Sequence, residues 1–442
     1  MKLSSNHLFI ALLIVVRVVF SWITSEEYIA SLKSSESCDS SMSCRSSDTA
    51  NLNNLRPSIV FVHIGDELPS HMNYTVAQAR LFNPVELVDI YIIMNKHALN
   101  DEMIEIYNPL IVIFVFCEDL IFSEEHKYIH KFSGRLYYNN ADDKGYGSQL
   151  FYYKTLERFF YLDNFLNSIM ISNVFHLEND VMLYTDLTKL VSPFSSNYPR
   201  MATTYNLDSV VVPGFVYIND AAAIKSLTSY ICSDLANFYK VDMELLATKL
   251  FQDNDNVIVD LIPSIPPSYT QSVHKYIPTF SVVIEYVNSR NFNFSQHYDS
   301  FSIFDDATIG QYLDGIPPTN PYPFNDQIFV SGHLNLSGLG VEIDPRLGLP
   351  GYINMYSMLN PHDMEFKFLE DEKQRLYPVA LYKDEVIKIN TLHIHSKNTQ
   401  KFYSLRPRLN RENCRFDTSM TSVQRSILQT LHRVECEIFY EL

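Results

Sequence analysis

The chain has 442 residues, 46% of them apolar and 19% charged, which is the composition of a globular protein and excludes a disordered, collagenous or polytopic membrane chain. Lys and Arg total 34 against 51 Asp and Glu, a formal charge of −17 that argues against a general binder of nucleic acid or anionic membrane. A phosphorylated ligand would need a local basic group or a cation to offset that charge.

Residues 1–25 read as a signal peptide or short signal anchor. Lys2 precedes the apolar run Leu8 to Ile23, broken by Arg17 and Ser21 and shorter than the about 20 residues of a spanning helix. This predicts the secretory pathway: the ER or Golgi lumen, either type II anchored through a single N-terminal segment or secreted. Residues 26–56 are crowded with serine around Cys38 and Cys44 and read as a stem or linker, too polar to pack. The six cysteines show no CxxC pair and no Cys/His zinc spacing, which argues against a structural zinc site; Cys117, inside an apolar run, reads as a buried thiol. Cys414 and Cys436 flank a C-terminal amphipathic segment that they could clip. The sequons at Asn73, Asn293 and Asn335 agree with lumenal exposure.

From Pro57 the texture changes. Ser58 to Ile64, Leu87 to Met94 and Leu110 to Phe116 are β-branched, nearly continuous apolar runs, suited to strands buried on both faces of a parallel sheet. Tyr74 to Phe82 has helical spacing between the first two, so strand, helix and strand alternate as in a βαβ unit. Gln149 to Leu166 reads as a long helix, and Ile169 to Leu177 as a strand running into Glu178-Asn179-Asp180. Ser209 to Asn219 reads as strand, turn and strand, and Asp242 to Phe251 as a helix. Residues 263 to 350, rich in Pro and Gly, are expected to form long acceptor-side loops. Ile387 to His395 alternates as one strand, and Ser422 to Tyr440 carries the apolar stripe of a packing helix.

Two pairs carry the chemistry. Glu178 and Asp180, at i and i+2 on an extended backbone, point to one face at a strand's C-terminal end, the edge where open α/β sheets bind ligands. Oxygen ligands of this kind suit Mg²⁺ or Mn²⁺, which keep waters and bridge to phosphates. His393 and His395 likewise share a strand face, roughly 7 Å apart, with Lys397 two residues beyond. One imidazole would complete the metal shell, and Lys397 would meet a phosphate. Asp305 and Asp306 precede ATIGQYL and suit either a base that orients hydroxyls or a helix N-cap. Asp242 and Glu244, on VDMELLA, suit a base or a solvated face.

These residues resemble a family, the nucleotide-sugar-dependent glycosyltransferases of the GT-A fold. Phe175-His176-Leu177-Glu178-Asn179-Asp180 with Val181-Met182-Leu183-Tyr184 looks like the family's DxD metal motif and its flanking strands, with Glu in place of the first Asp. Leu392-His393-Ile394-His395-Ser396-Lys397 is similar to its C-terminal His-x-x-x-Lys element. The order matches as well, with His63-Ile64-Gly65 where such enzymes hold the base and Pro213 to Ile218 where they line the acceptor side. Over residues 57–402 the resemblance implies an α/β GT-A fold, with a mostly parallel central sheet, helices on both faces and long acceptor-side loops, followed by a C-terminal helical extension over 403–442. It implies His63, Gly65, Glu178 and Lys397 around the nucleotide, and Asp180, Glu178 and His393 or His395 on Mn²⁺ or Mg²⁺. Asp305, Asp306 or Glu244 would serve as the catalytic carboxylate. The function expected is transfer of a sugar from a nucleoside diphosphate sugar to a lumenal or secreted glycan, glycoprotein or glycolipid, with no nucleic acid involved. The alternative is an inactive, transferase-like module that binds a sugar or a protein. A two-carboxylate glycosidase is disfavoured, because carboxylates at i and i+2 lie too close to flank a scissile bond.

Overall fold

The computed structural model describes residues 56–137, 149–207, 210–234, 242–243, 245–246, 259–266, 268–269, 302–314, 343–344, 349–350, 359 and 361–405. The readings for residues 1–55, Glu244, most of the 263–350 segment, the 422–440 helix, Cys38, Cys44, Cys414, Cys436, Asn293 and Asn335 lie outside the described residues. Among the described residues no helix is long and apolar enough to cross a membrane.

The apolar runs near the start form strands β1 (Ser58–His63), β2 (Asp89–Met94) and β3 (Val112–Phe116), with helices α1 (His71–Phe82) and α2 (Asp101–Tyr107) in the connections. Helices α3 (Glu124–Tyr137) and α4 (Gln149–Ile169) lead to β4 (Val174–Leu177) and β5 (Val181–Leu183). Then come α5 (Thr188–Asn197), β6 (Met201–Leu207), β7 (Val210–Ile218), α6 (Ala221–Asp234) and β8 (Val259–Ile262). The main sheet runs β3-β2-β1-β4-β7-β6-β8, and β7 is its only member antiparallel to both neighbours. It is a mixed α/β fold with a mostly parallel central sheet. Strands β1 and β4 lie at its centre, where Ile59, Val60, Phe61, Val174, Phe175 and Leu177 are fully buried. Adjacent strand residues point to opposite faces. Phe159 of α4 packs edge-on against His176, and Phe194 of α5 against its neighbour Phe175, so helices cover both faces.

The rest of the chain builds a smaller sheet, β12-β13-β14-β9, from β9 (Ser302–Ile303), β12 (Glu365–Glu370), β13 (Leu376–Tyr382) and β14 (Glu385–Ile389). Helix α7 (Thr308–Asp314) and the short pair β10 (Ile343–Asp344) and β11 (Leu349–Pro350) intervene. Strand β15 (Thr391–His393) pairs antiparallel with β5 alone.

Four local readings are corrected. Ile169 ends α4, and the chain turns through Met170 and Asn173 at φ 52° and 54° before β4 opens at Val174. Val210 to Ile218 is one strand, not strand, turn and strand: Pro213 and Gly214 sit within β7, and the β6 register shifts between Thr203 and Thr204 to accommodate them. Ile387 to His395 is two strands. The Asn390 N–H bonds the Ile303 carbonyl at 2.8 Å while its carbonyl takes the Tyr184 N–H at 2.8 Å, so the chain changes partner there, from β9 to β5. Within the proline-rich 263–350 segment, residues 302–310 form buried structure, including β9 and the start of α7, and are no loop wall. Two single-residue readings also meet the structure. Cys117 is a buried free thiol, pushed up to about 12 by burial. Asn73 lies in α1, its side-chain oxygen taking the hydroxyl of the buried Tyr107 at 2.8 Å.

Gln78 joins three of these parts. Its amide nitrogen donates to the Leu183 carbonyl at 3.2 Å and to Ser404 Oγ at 2.7 Å, and its oxygen takes the Ser404 N–H at 3.0 Å. Gln78→Ala leaves those buried groups unpaired and is expected to cost about 2–3 kcal/mol; urea denaturation followed by circular dichroism checks it, with a loss below about 0.5 kcal/mol refuting the link.

Candidate metal and nucleotide site

The turn between β4 and β5 carries Glu178, Asn179 and Asp180. Its backbone is a tight turn, not the extended strand that the spacing suggested: the Val181 N–H bonds the Glu178 carbonyl at 3.2 Å. Four segments hold it in place. The Glu178 N–H donates to the Gly214 carbonyl at 2.8 Å, the Thr75 hydroxyl to the Asn179 carbonyl at 2.8 Å, and the Ile394 N–H to the Asp180 carbonyl at 2.9 Å. The Asn179 side-chain nitrogen meets His63 Nδ1 at 3.1 Å, at the end of β1.

Both carboxylates converge on His393. Its Nε2 lies 3.1 Å from Glu178 Oε2 and 3.3 Å from Asp180 Oδ1, and the ligand atoms of these three residues lie within 4.8 Å of one another. Burial by itself would lower the His393 pKa, but Asp180 and then Glu178 outweigh it and raise the imidazole to about 10. His395 is elsewhere: its Nδ1 meets Gln311 Nε2 at 2.9 Å, and burial, with the charge of His393, holds it down at about 3. The two rings are 4.3 Å apart, centroid to centroid, because β15 ends at His393 and the alternation expected through His395 stops there. Lys397, at φ 65°, turns back to pair with Asp180.

Asp305 acts on the backbone. Its carboxylate accepts the N–H groups of Ile309 at 2.8 Å, Gly310 at 2.9 Å and His393 at 2.9 Å, so one buried carboxylate fixes the start of α7 and the position of the histidine together. Asp306 accepts the Thr308 N–H at 3.1 Å, and burial, reinforced by the charge of Asp305, pushes it up to about 7. His63 Nε2 and Asn179 Oδ1 are buried and make no hydrogen bond among the described residues. Gly65 lies against the His63 ring, where a Cβ would fall 2.8 Å from Nε2.

Three features of the site escaped the sequence reading. Arg158 of α4 is paired to Glu178 and, at 2.8 Å, to Asp242; an arginine in the otherwise aromatic stretch around LERFF was the available signal, since a buried cation requires an anion. Asp242 therefore faces a guanidinium and is not on a solvated face; burial pushes its carboxyl up against the pull of Arg158. His71, at the start of α1, is held neutral at about 4 by burial, within reach of the charges of Asp180 and Lys397. Gly214 backs the His393 ring: a Cβ there would fall 2.7 Å from His393 Nδ1.

The donor set, two carboxylate oxygens and one imidazole nitrogen, fits Mn²⁺ or Mg²⁺ with water completing the shell. Burial raises both carboxyl groups, but Arg158 outweighs it at Glu178 and Lys397 with His393 at Asp180, so both stay ionised well below the usual range and ready to bind a cation.

No protein-family model matches the chain, and no curated protein matches it. Solved structures similar to parts of it include the glycosyltransferase GlyE of Streptococcus pneumoniae TIGR4, at 15% identity and a TM-score of 0.28 over 46% of this chain and 44% of that one. Mouse xyloside xylosyltransferase 1 is 11% identical, with a TM-score of 0.30 over 47% of this chain and 84% of that one. The galactosyltransferase LgtC, in complex with donor and acceptor sugar analogues, is 13% identical, with a TM-score of 0.31 over 47% and 73%. The chain thus spans less than half the length of GlyE.

Two outcomes are expected. Because His393 holds its proton up to about 10, a cation that takes Nε2 below that pH must displace the proton, so affinity rises with pH, about tenfold per unit near neutrality. Calorimetry of Mn²⁺ binding in buffers of different ionisation enthalpy should find about one proton released at neutral pH; none released removes His393 from the ligand set. Gly214→Ala should tilt the His393 ring and weaken Mn²⁺ binding by about tenfold or more, with little change in the far-ultraviolet dichroism; unchanged affinity would show that the close approach has no part in positioning the ligand.

Proposed function

We propose that the protein is a metal-dependent glycosyltransferase, moving a sugar from a nucleoside diphosphate sugar to a lumenal or secreted glycan, glycoprotein or glycolipid. The observation that carries this reading is the convergence of Glu178, Asp180, His393 and Lys397 beside the C-terminal ends of β1 and β4. In an open α/β sheet that edge is where a nucleotide is held. The residues 1–25 leader, with delivery to the ER or Golgi lumen as an anchored or secreted chain, belongs to the same proposal.

Mn²⁺ or Mg²⁺, when bound, would neutralise the charge that develops on the departing diphosphate. Glu178 and Asp180 would hold it with His393 as the third protein ligand, and Asp305 keeps that histidine in place through its backbone N–H. Lys397 is exposed and paired with Asp180, and its ammonium would meet phosphate oxygens at the same edge. Arg158 stays buried behind Glu178 and offsets its charge whether or not a cation is present. His63 and Asn179, with unpaired hydrogen-bonding atoms at the end of β1, would take the base or ribose, and Gly65 gives the His63 ring room.

Incubating the full chain with a panel of nucleotide sugars, with and without Mn²⁺, tests the reading: metal-dependent release of a nucleoside diphosphate is expected, and none from any donor would leave only a sugar- or protein-binding module. Asp180→Asn should lower kcat on the order of 10²–10³-fold with the fold retained, and Glu178→Gln should cost less, since Arg158 still anchors its neighbourhood. Activity of Asp180→Asn within a few-fold of wild type would reject it as a ligand.

A further inference from the structure

A second group of potential ligands lies on α3 and α4. His126 and His130, at i and i+4, present their rings from one face of α3, stacked with centroids 4.8 Å apart and planes 9° from parallel. Glu157 of α4 reaches between them, its Oε1 3.2 Å from His130 Nε2 and 3.6 Å from His126 Nε2. The ligand atoms of all three lie within 4.8 Å of one another. The sequence reading looked for Cys/His spacing and so passed over this set, which needs a carboxylate from a separate helix.

The group is built and largely dry. His126 is 0% exposed and Glu157 3%, and His126 Nε2 makes no hydrogen bond among the described residues. Phe122 stacks on both imidazoles, with centroids 4.1 and 5.2 Å away, and fixes the ring planes. The Tyr153 hydroxyl donates to Glu157 Oε1 at 3.1 Å, orienting the carboxylate. The His130 side chain, 38% exposed, leaves an opening to solvent on one side.

We propose that His126, His130 and Glu157 bind a zinc ion that clips α3 to α4, with water in the fourth position. Two imidazoles and one carboxylate are a zinc donor set, borderline in softness, whereas the two carboxylates and single imidazole at Glu178, Asp180 and His393 favour a harder cation. The residue after Glu157 is Arg158, which faces Glu178 from the same turn of α4, so the ion would fix the helix that carries the buried counter-charge of the other site.

Asn164 makes the proposal specific. Its side-chain oxygen takes the Ser123 N–H at 2.9 Å, which turns its amide nitrogen to His126 Nδ1 and leaves the ring hydrogen on Nε2. Zinc takes the Nε2 lone pair, so the hydrogen moves to Nδ1 and needs an acceptor there; the Asn164 amide must then turn over and release Ser123. A carboxylate at position 164 would accept both N–H groups at once, as the outer partners of zinc-bound histidines do.

Zinc binding by the full chain, measured against a chelator that buffers free zinc in the submicromolar range, tests this. Wild type should bind one more equivalent than His130→Ala, and with cobalt in place of zinc it should show the strong visible bands of a four-coordinate ion, absent from that variant. Asn164→Asp should tighten binding about tenfold, a gain that a merely structural asparagine would not yield. Equal stoichiometry in wild type and His130→Ala overturns the proposal, as does Asn164→Asp leaving the affinity unchanged or lower. Should His130→Ala fail to fold, Glu157→Gln, which keeps the shape and removes the charge, takes its place with the same expectations. None of these readouts depends on transferase activity.

Discussion

Buried charge is the constraint on which the site depends. Glu178, Asp180 and Asp242 are carboxylates gathered at one sheet edge, two of them almost fully buried, and taking such ions out of water costs several kcal/mol each unless cations face them. Arg158 faces Glu178 and Asp242, Lys397 faces Asp180, and His393 faces both Glu178 and Asp180. These partners come from α4, β15 and the turn after β15, so the distant ends of the domain must dock for the charges to be neutralised. The same arrangement leaves the carboxylates ionised and His393 protonated, with an exposed ammonium at the rim, so that a divalent cation would replace positive charge already present and would not enter an unbalanced pocket.

The backbone around the site is organised to hold one histidine. β15 pairs with β5 and brings His393 opposite Val181. Asp305 then accepts the His393 N–H, α7 packs so close that a Cβ on Gly310 would fall 2.0 Å from the His393 carbonyl oxygen, and Gly214 leaves the ring its space. The small sheet feeds into this through Asn390, where the chain leaves β9 for β5. A loop histidine would sample many orientations; this one is fixed by contacts on its backbone and both sides of its ring.

α4 has a comparable part on the opposite side. Consecutive residues Glu157 and Arg158 face different clusters, one of imidazoles and one of carboxylates, and the aromatic residues Phe159, Phe160 and Phe165 bury the helix between them. The position of this helix is therefore felt at both places, whether or not an ion occupies either.

Much of the frame was legible in the residues. β1, β2 and β3 declare themselves as continuous apolar runs because parallel strands covered on both faces have no solvent side to mark with polar residues. Glu178 and Asp180 were visible as two acids at a strand's end, and His393 or His395 with Lys397 as an alternating pair before a lysine, the His-x-x-x-Lys spacing coming from the family resemblance. What only the tertiary structure decided involves partners far apart in the chain. Asp305 meets a backbone 88 residues away, and Arg158 meets Glu178 and Asp242 at separations of 20 and 84. The choice of His393 over His395 rests on where β15 stops, and that is set by the hydrogen bonds of Asn390 to two different strands, not by the alternation of its own side chains. Periodicity records which way a side chain points from its own backbone; which atoms it meets depends on the packing of elements whose separation in sequence carries no such signal.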